Sequence, residues 1–136
     1  MRVISGKYKG LNLKGFDING TRPTMDRVKE SMFGMINFYL DDAVVLDLFA
    51  GSGSLGIEAL SNGAYKAYFV DNNHISIMTI KENLKKVNDE YEVLNMSFTK
   101  ALDLLKKEKF DIIFLDPPYN DNLITKSIKK IEEYDL

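Results

Sequence analysis

The sequence contains no cysteine, no tryptophan, one histidine and three prolines in 136 residues. Without thiols it has no disulfide, no thiolate metal site and no cysteine nucleophile, and His74 standing alone argues against a histidine-based metal or acid–base centre. Chemistry must then come from carboxylates, amides and backbone groups. No apolar run approaches the ~20 residues that a membrane span needs. The N-terminus "MRVISGKYKG" also lacks the apolar centre of a secretory signal. A cytoplasmic protein without a membrane partner is expected.

What is present is ordinary in bulk and uneven in detail. With 45% hydrophobic and 28% charged residues, the chain can bury one core, so a single domain over 1–136 is expected, with a basic hairpin at 1–20 and the main body at 21–136. The formal charge of −2 hides an asymmetry. Residues 1–30 hold seven basic side chains (Arg2, Lys7, Lys9, Lys14, Arg22, Arg27, Lys29) against Asp17, Asp26 and Glu30, a net +4, which leaves −6 for the remainder. A basic front end on an acidic body suggests a polyanion approached from one side, although an exposed segment can also be basic merely for solubility.

"RVISG" and "GLNLKG" alternate about "KYK" and read as a β-hairpin with Lys7 and Lys9 near its turn. Thr24 is placed to cap a helix from about Met25 to Tyr39, whose Val28, Met32, Met35, Ile36 and Tyr39 form a core-facing stripe. From Ala43 the pattern becomes strand, glycine turn, helix, strand: "AVVLDLF", "SLGIEALSNG", "KAYFVD". Next come a helix near Ile75–Val87 with Ile77, Ile80, Leu84 and Val87 inward, a strand "YEVLNM", a helix "FTKALDLLKKE", a strand "FDIIFLD" and a last helix near Leu123–Glu133. Apolar strands alternating with amphipathic helices predict a Rossmann-like α/β fold, with a parallel sheet covered on both faces and ligands at its carboxyl edge.

Gly51, Gly53 and Gly56 in "DLFAGSGSLGIEAL" spell G-x-G-x-x-G after a strand, and Asp71 ends the next strand where a ribose-binding acid belongs. A nicotinamide-dependent dehydrogenase satisfies that fingerprint. Asp47 speaks against it, because a carboxylate at the mouth of the glycine turn would oppose a diphosphate. S-adenosylmethionine suits the site better: it brings an ammonium, a sulfonium and a ribose, and no phosphate. Alternatively Asp47 is a strand-end residue bonded to loop amides, and Asp71 to Asn73 form a helix cap.

"DPPY", Asp116 to Tyr119, ends the fourth strand at the same sheet edge. Two prolines stop the strand and hold a rigid turn; one reading is no more than an exit loop with a packing tyrosine. The chemical reading is that Asp116 and the Pro117 carbonyl accept the N–H bonds of a nucleobase amine, localising its lone pair toward a methyl donor, while Tyr119 stacks on the base.

Together, "DLFAGSGSLGIEAL" and "DPPY" resemble the class I S-adenosylmethionine-dependent amino-methyltransferases. The front end "RVISGKYKG…TRPTMDRVKESMF" is similar to the RsmD-like family, which methylates the N2 amine of a guanine in small-subunit (16S) ribosomal RNA. The resemblance runs from Met1 through the helix after "DPPY". It implies S-adenosyl-L-methionine as cofactor and ribosomal RNA, or a small-subunit assembly particle, as partner of a monomeric enzyme. By that likeness Asp47, Phe49, Ala50, Gly51, Ser52 and Gly53 hold the methionine part, Asp71 and Asn72 the ribose, and Ser97 and Phe98 the adenine. Asp116, Pro117, Pro118 and Tyr119 take the target amine. Arg2, Lys7, Lys9 and Arg22 face the RNA. Many relatives carry an acid where Ser97 stands, and the family normally continues for several tens of residues whose strands complete the sheet. The resemblance therefore implies a fourth strand with an open edge here. Amine methylation of DNA (adenine N6 or cytosine N4), a nicotinamide-dependent dehydrogenase and a nucleic-acid-binding module without catalysis remain the alternatives.

Overall fold

Four short apolar runs, flanked by amphipathic segments, build one parallel sheet in the computed structural model, which describes residues 1–15, 22–117 and 121–136. In chain order the elements are α1 (Arg22–Ile36), a 3₁₀ turn (Asn37–Tyr39), β1 (Val44–Asp47), α2 (Ser54–Ser61), β2 (Lys66–Asp71), α3 (His74–Leu84), β3 (Glu90–Asn95), α4 (Phe98–Leu104), β4 (Ile112–Phe114) and α5 (Asp121–Tyr134). The strand order is β3-β2-β1-β4. The chain steps outward from β1 through β2 to β3, then crosses back to lay β4 on the other side of β1. That reversal opens a crevice at the carboxyl ends of β1 and β4, where an open parallel sheet binds ligands. Among the described residues, β4 pairs only with β1.

Alternation along the strands divides the core. Val45, Ala67, Phe69 and Phe114 face one layer with Ile57, Leu60, Ile77, Ile80 and Leu84. Leu46, Leu48, Tyr68 and Val70 face the other, with Ala101, Leu102 and Leu105. The α3 stripe read from the sequence points inward as expected, Ile77, Ile80 and Leu84 being buried and Val87 partly so.

The helix before β1 departs from its expected stripe. It begins at Arg22, so Thr24 lies within it and not at its N-cap position. Val28, Met35 and Tyr39 are 62%, 74% and 68% exposed, whereas Lys29 and Phe33 are buried and Met32 and Ile36 pack partly against the core. Two contacts set this rotation. Phe33 meets Phe114 with ring centroids 5.6 Å apart, and Lys29, one turn earlier, reaches the carboxylate of Glu58 at 3.2 Å. After Ile36 the chain tightens into the 3₁₀ turn, which breaks the 3.6-residue period that assigns Tyr39 to the core.

The N-terminal segment turns back on itself with one antiparallel bridge, Arg2 to Asn12, so two extended strands do not form. Its anchors are Val3 and Leu13, both buried in the α2–α3 layer, and the side chain of Glu58. That carboxylate is fully buried and accepts the N–H groups of Ile4 at 3.0 Å and Ser5 at 3.0 Å as well as the Lys29 ammonium. Lys29 also donates to the Arg2 carbonyl at 3.0 Å. One side chain thus ties the N-terminal turn, α1 and α2 together.

Removing one partner of a buried pair leaves the other uncompensated, at a cost of about 3–5 kcal/mol. Glu58→Ala is therefore expected to lower the urea midpoint by an equivalent amount, and Glu58→Gln by less, since the amide oxygen can still accept one N–H. A midpoint unchanged in Glu58→Ala would show that the cluster does not hold the segment.

Candidate active site

Sheet register decides which carboxylates meet. Asp47 stands opposite Phe69 of β2 and Phe114 of β4; Asp71 follows Phe69 by two residues within β2, so alternation returns it to the face of Asp47, and Asp116, two residues past the end of β4, is near enough for its charge to act on Asp47. Asp47 and Asp71 end β1 and β2, and Asp116 lies just beyond β4, at the carboxyl edge beside the turn that carries Gly51 and Gly53.

The turn is held from below and from the side. Gly53 has φ of 85° and precedes the first turn of α2, a left-handed conformation that favours glycine. A Cβ on Gly56 would lie 2.3 Å from the Phe69 ring, so this glycine lets α2 settle on the sheet. Asp71 joins the turn to the next helix: its carboxylate accepts Gly51 N–H at 3.0 Å and Asn73 N–H at 2.9 Å. Asn73 caps α3 through Ile75 and Ser76 N–H, so the helix cap read as an alternative for this stretch exists, with Asn73 as its residue and Asn72 exposed beside it. Asn83 fixes the turn from α3, donating to the Ser52 carbonyl at 2.9 Å while exchanging bonds with the Lys14 backbone.

The sequence pattern puts the Asp47 carboxylate at the mouth of the turn, whereas it is 1% exposed and lies beneath it. Its Oδ2 accepts Gly56 N–H at 3.1 Å, and its Oδ1 has no hydrogen-bond partner among the described residues. Burial pushes its pKa up to about 7; the Gly56 hydrogen bond opposes the rise, and the charges of Asp116 and Asp71 add to it. Near neutral pH this acid is only partly ionised, so the argument from like charge against a diphosphate is weaker than the sequence implies. An orphaned oxygen of a buried carboxyl suits a cationic N–H donor, whose charge would favour the ionised, accepting form.

On the outer side of the edge, Ser97 caps α4, its Oγ accepting Lys100 N–H, and Phe98 packs on Phe49 with centroids 5.5 Å apart. Asp116 is exposed and Pro117 half-buried; Pro118 and Tyr119 lie outside the described residues. Between α1, the start of α2 and the exit of β4 there is a cavity of about 480 Å³, lined by Met1, Asp26, Lys29, Met32, Ser54, Leu55, Phe114 and Asp116 among others.

A family model described as "Conserved hypothetical protein 95" matches residues 1–136. The chain belongs to this family. It is 46% identical over 140 residues to YlbH of Bacillus subtilis (strain 168), which carries the provisional name of an rRNA methyltransferase, and it spans 76% of that protein. It is 39% identical over 140 residues to "Ribosomal RNA small subunit methyltransferase D" of Haemophilus influenzae, with 98% of this chain and 71% of that one covered. The solved structure of yhhF from Escherichia coli, provisionally described as a methyltransferase, superposes with a TM-score of 0.84 at 32% identity, covering 98% of this chain and 73% of that one. The resemblance to the RsmD-like family and the α/β fold of class I methyltransferases therefore both hold.

For this family member the basic front end is smaller than its sequence count. Lys29 is buried against Glu58, Lys7 pairs with Asp89 at 2.6 Å and Lys14 with Glu82 at 3.1 Å. Arg2 and Lys9 are exposed, and Arg22 is placed only as the first residue of α1. Sequence reasoning does not single out Glu58, Lys29 or Asn83. Their signal is polarity at positions where a helix turns inward: Asn83 follows Ser76 and Ile80 at i+7 and i+3, on the buried side of α3.

The Asp47 shift has a stability consequence. The folded acid keeps its proton to about pH 7 while the unfolded one loses it near its ordinary value of ~3.9. Folding thus favours the protonated form, and stability falls as pH rises across that window, by roughly 4 kcal/mol in total from this group. Melts of the protein without ligand at pH 5 and pH 8 are expected to differ less in Asp47→Asn than in the wild type. Equal differences in the two proteins would remove Asp47 as the source.

Proposed function

We propose that the protein is an S-adenosylmethionine-dependent methyltransferase acting on the exocyclic N2 amine of a guanine in small-subunit (16S) ribosomal RNA, in the cytoplasm. The observation that carries this reading is the convergence of Asp47, the glycine turn, Asp71 and Asp116 at one sheet edge. The printed name of the Haemophilus influenzae relative supports ribosomal RNA as the substrate.

The residues present fit the cofactor. The unpartnered Asp47 Oδ1 would accept from its ammonium, and the turn from Phe49 to Gly53 would hold its methionine part. Asp71, already bonded to Gly51 N–H through one oxygen and to Asn73 N–H through the other, has lone pairs left for ribose hydroxyls, with Asn72 beside it. Phe98 and Ser97 stand at the adenine end. When bound, the cofactor supplies a methyl group on a positively charged sulfur.

Asp116 and the Pro117 carbonyl accept the two N–H bonds of the guanine amine and draw its lone pair out of the ring. Asp116 would take the surplus proton of the methylated amine and pass it to water. Pro118 and Tyr119 complete the acceptor in this reading. Positioning supplies most of the rate, because the methyl group is already activated. Access requires a base that is unpaired or turned out of its helix.

Asp116→Ala is expected to reduce methyl transfer by about 100-fold or more while binding S-adenosylhomocysteine within a few-fold of wild type; radiolabelled transfer to small-subunit RNA and calorimetry measure the two. Wild-type turnover in that variant would refute the role. Mass mapping of the modified nucleotide tests the N2 assignment directly.

RNA phosphates are met by Arg2, Lys9 and Arg22, with Lys7 contributing less because Asp89 already holds it. The double variant Arg2→Ala, Lys9→Ala should flatten the salt dependence of RNA binding by roughly 1.5 to 2 in slope, and Lys7→Ala by less. An unaltered slope in the double variant would take the N-terminal turn out of the interface.

A further inference from the structure

The 480 Å³ cavity lies on the β4 side of β1. Asp71, Ser97 and Phe98, which end β2 or follow β3, lie on the other side, and none of them lines it. The two flanks of β1 are therefore available to different molecules: the nucleoside half of the methyl donor on one, and the acceptor on the other.

The cavity wall is mostly carbon, from Met32, Leu55 and Phe114 among others, and it carries two carboxylates, Asp116 at the exit of β4 and Asp26 on α1. Lys29 also borders it, but its ammonium is already held by Glu58 and the Arg2 carbonyl. Asp26 sits one helical turn before Lys29 and so shares its inward side. The packing of Phe33 on Phe114 and the Lys29–Glu58 pair fix that side toward the sheet.

A pair of acceptor-only groups poses a definite question to a nucleobase. Guanine alone among the amine-bearing bases presents two adjacent donors on its pairing edge, the N2 amine and N1–H. Adenine sets a lone pair at N1 beside its amine, and cytosine sets one at N3. A carboxylate accepts from the first arrangement and repels the other two.

We propose that this cavity receives the acceptor base and that Asp26 selects guanine, its carboxylate accepting N1–H while Asp116 accepts from the N2 amine. The inference rests on the methyl-transfer reading above and adds a specificity-determining residue to it. Helix α1 then has two roles, since the element that anchors the N-terminal turn also carries the group that reads the base.

The test compares guanine with 2-aminopurine, which keeps the amine but has a lone pair at N1. Synthetic RNA carrying one or the other at the mapped position is offered to the wild type, to Asp26→Asn and to Asp26→Ala. The wild type should favour guanine by about 100-fold. Asn can turn its N–H toward a lone pair, so Asp26→Asn should cut that preference by about tenfold or more and methylate the 2-aminopurine RNA faster than the wild type does. Asp26→Ala should lose rate on guanine and, with the repulsion gone but no donor supplied, gain less on the analogue than Asp26→Asn does. Affinity for S-adenosylhomocysteine, which the other flank of β1 provides, should stay within a few-fold in both variants. A guanine preference unchanged in Asp26→Asn, with the wild type active on guanine, overturns the role of Asp26 and leaves the methyl-transfer reading standing. A wild type that leaves the guanine RNA unmethylated while binding S-adenosylhomocysteine overturns both.

Discussion

Glu58 is the hinge of the architecture. Its carboxylate, with no exposure to water, satisfies two backbone N–H groups of the N-terminal turn and the ammonium of Lys29 in a single cluster. A lone buried carboxylate would be costly; paired and hydrogen-bonded, it becomes a constraint that only one arrangement of the three segments can meet. The turn cannot lift, α1 cannot rotate and α2 cannot slide without stranding a charge. The wall of the cavity beside β4 follows from that, since α1 supplies one side of it and Met1 part of another.

The second constraint is parity. Side chains alternate along a strand, and the register of β1 with β2 sets Asp47 and Asp71 on a common face, to which the exit of β4 brings the charge of Asp116. Desolvation does most to lift the pKa of the buried Asp47, and the charges of the other two acids add to it. A site that holds an incompletely ionised acid with an orphaned oxygen is poised for a positively charged ligand, which would restore the charge and complete the missing hydrogen bond. The same edge keeps Asp116 exposed, free to meet a substrate from solvent. Burial thus separates two chemically identical side chains into a desolvated acid with an unpartnered oxygen and one open to solvent.

Much of this is legible in the residues alone. The succession of strands and helices from β1 to α5, the inward stripe of α3 and the family resemblance follow from local pattern: period 2 against period 3.6, glycine and proline at turns, and the residues of "DLFAGSGSLGIEAL" and "DPPY". The stripe of α1 is not, because Val28, Met35 and Tyr39 are as apolar as Phe33, and periodicity alone cannot say which side of a helix finds a partner. The basic front end is overcounted from sequence because a formal charge carries no record of its counter-ion: Lys7, Lys14 and Lys29 each meet an acid from a distant part of the chain.

The sequence by itself determined the order and type of the elements from β1 to α5, the glycine turn and the acids at the strand ends or just beyond, because these depend on backbone preferences and spacing within a few residues. Only the tertiary structure decided that Asp47 is buried and half-satisfied, that Lys29 serves Glu58, and that Asp26 and Asp116 border one cavity. Those facts depend on desolvation and on partners brought together across the chain, and both exist only once the segments have packed.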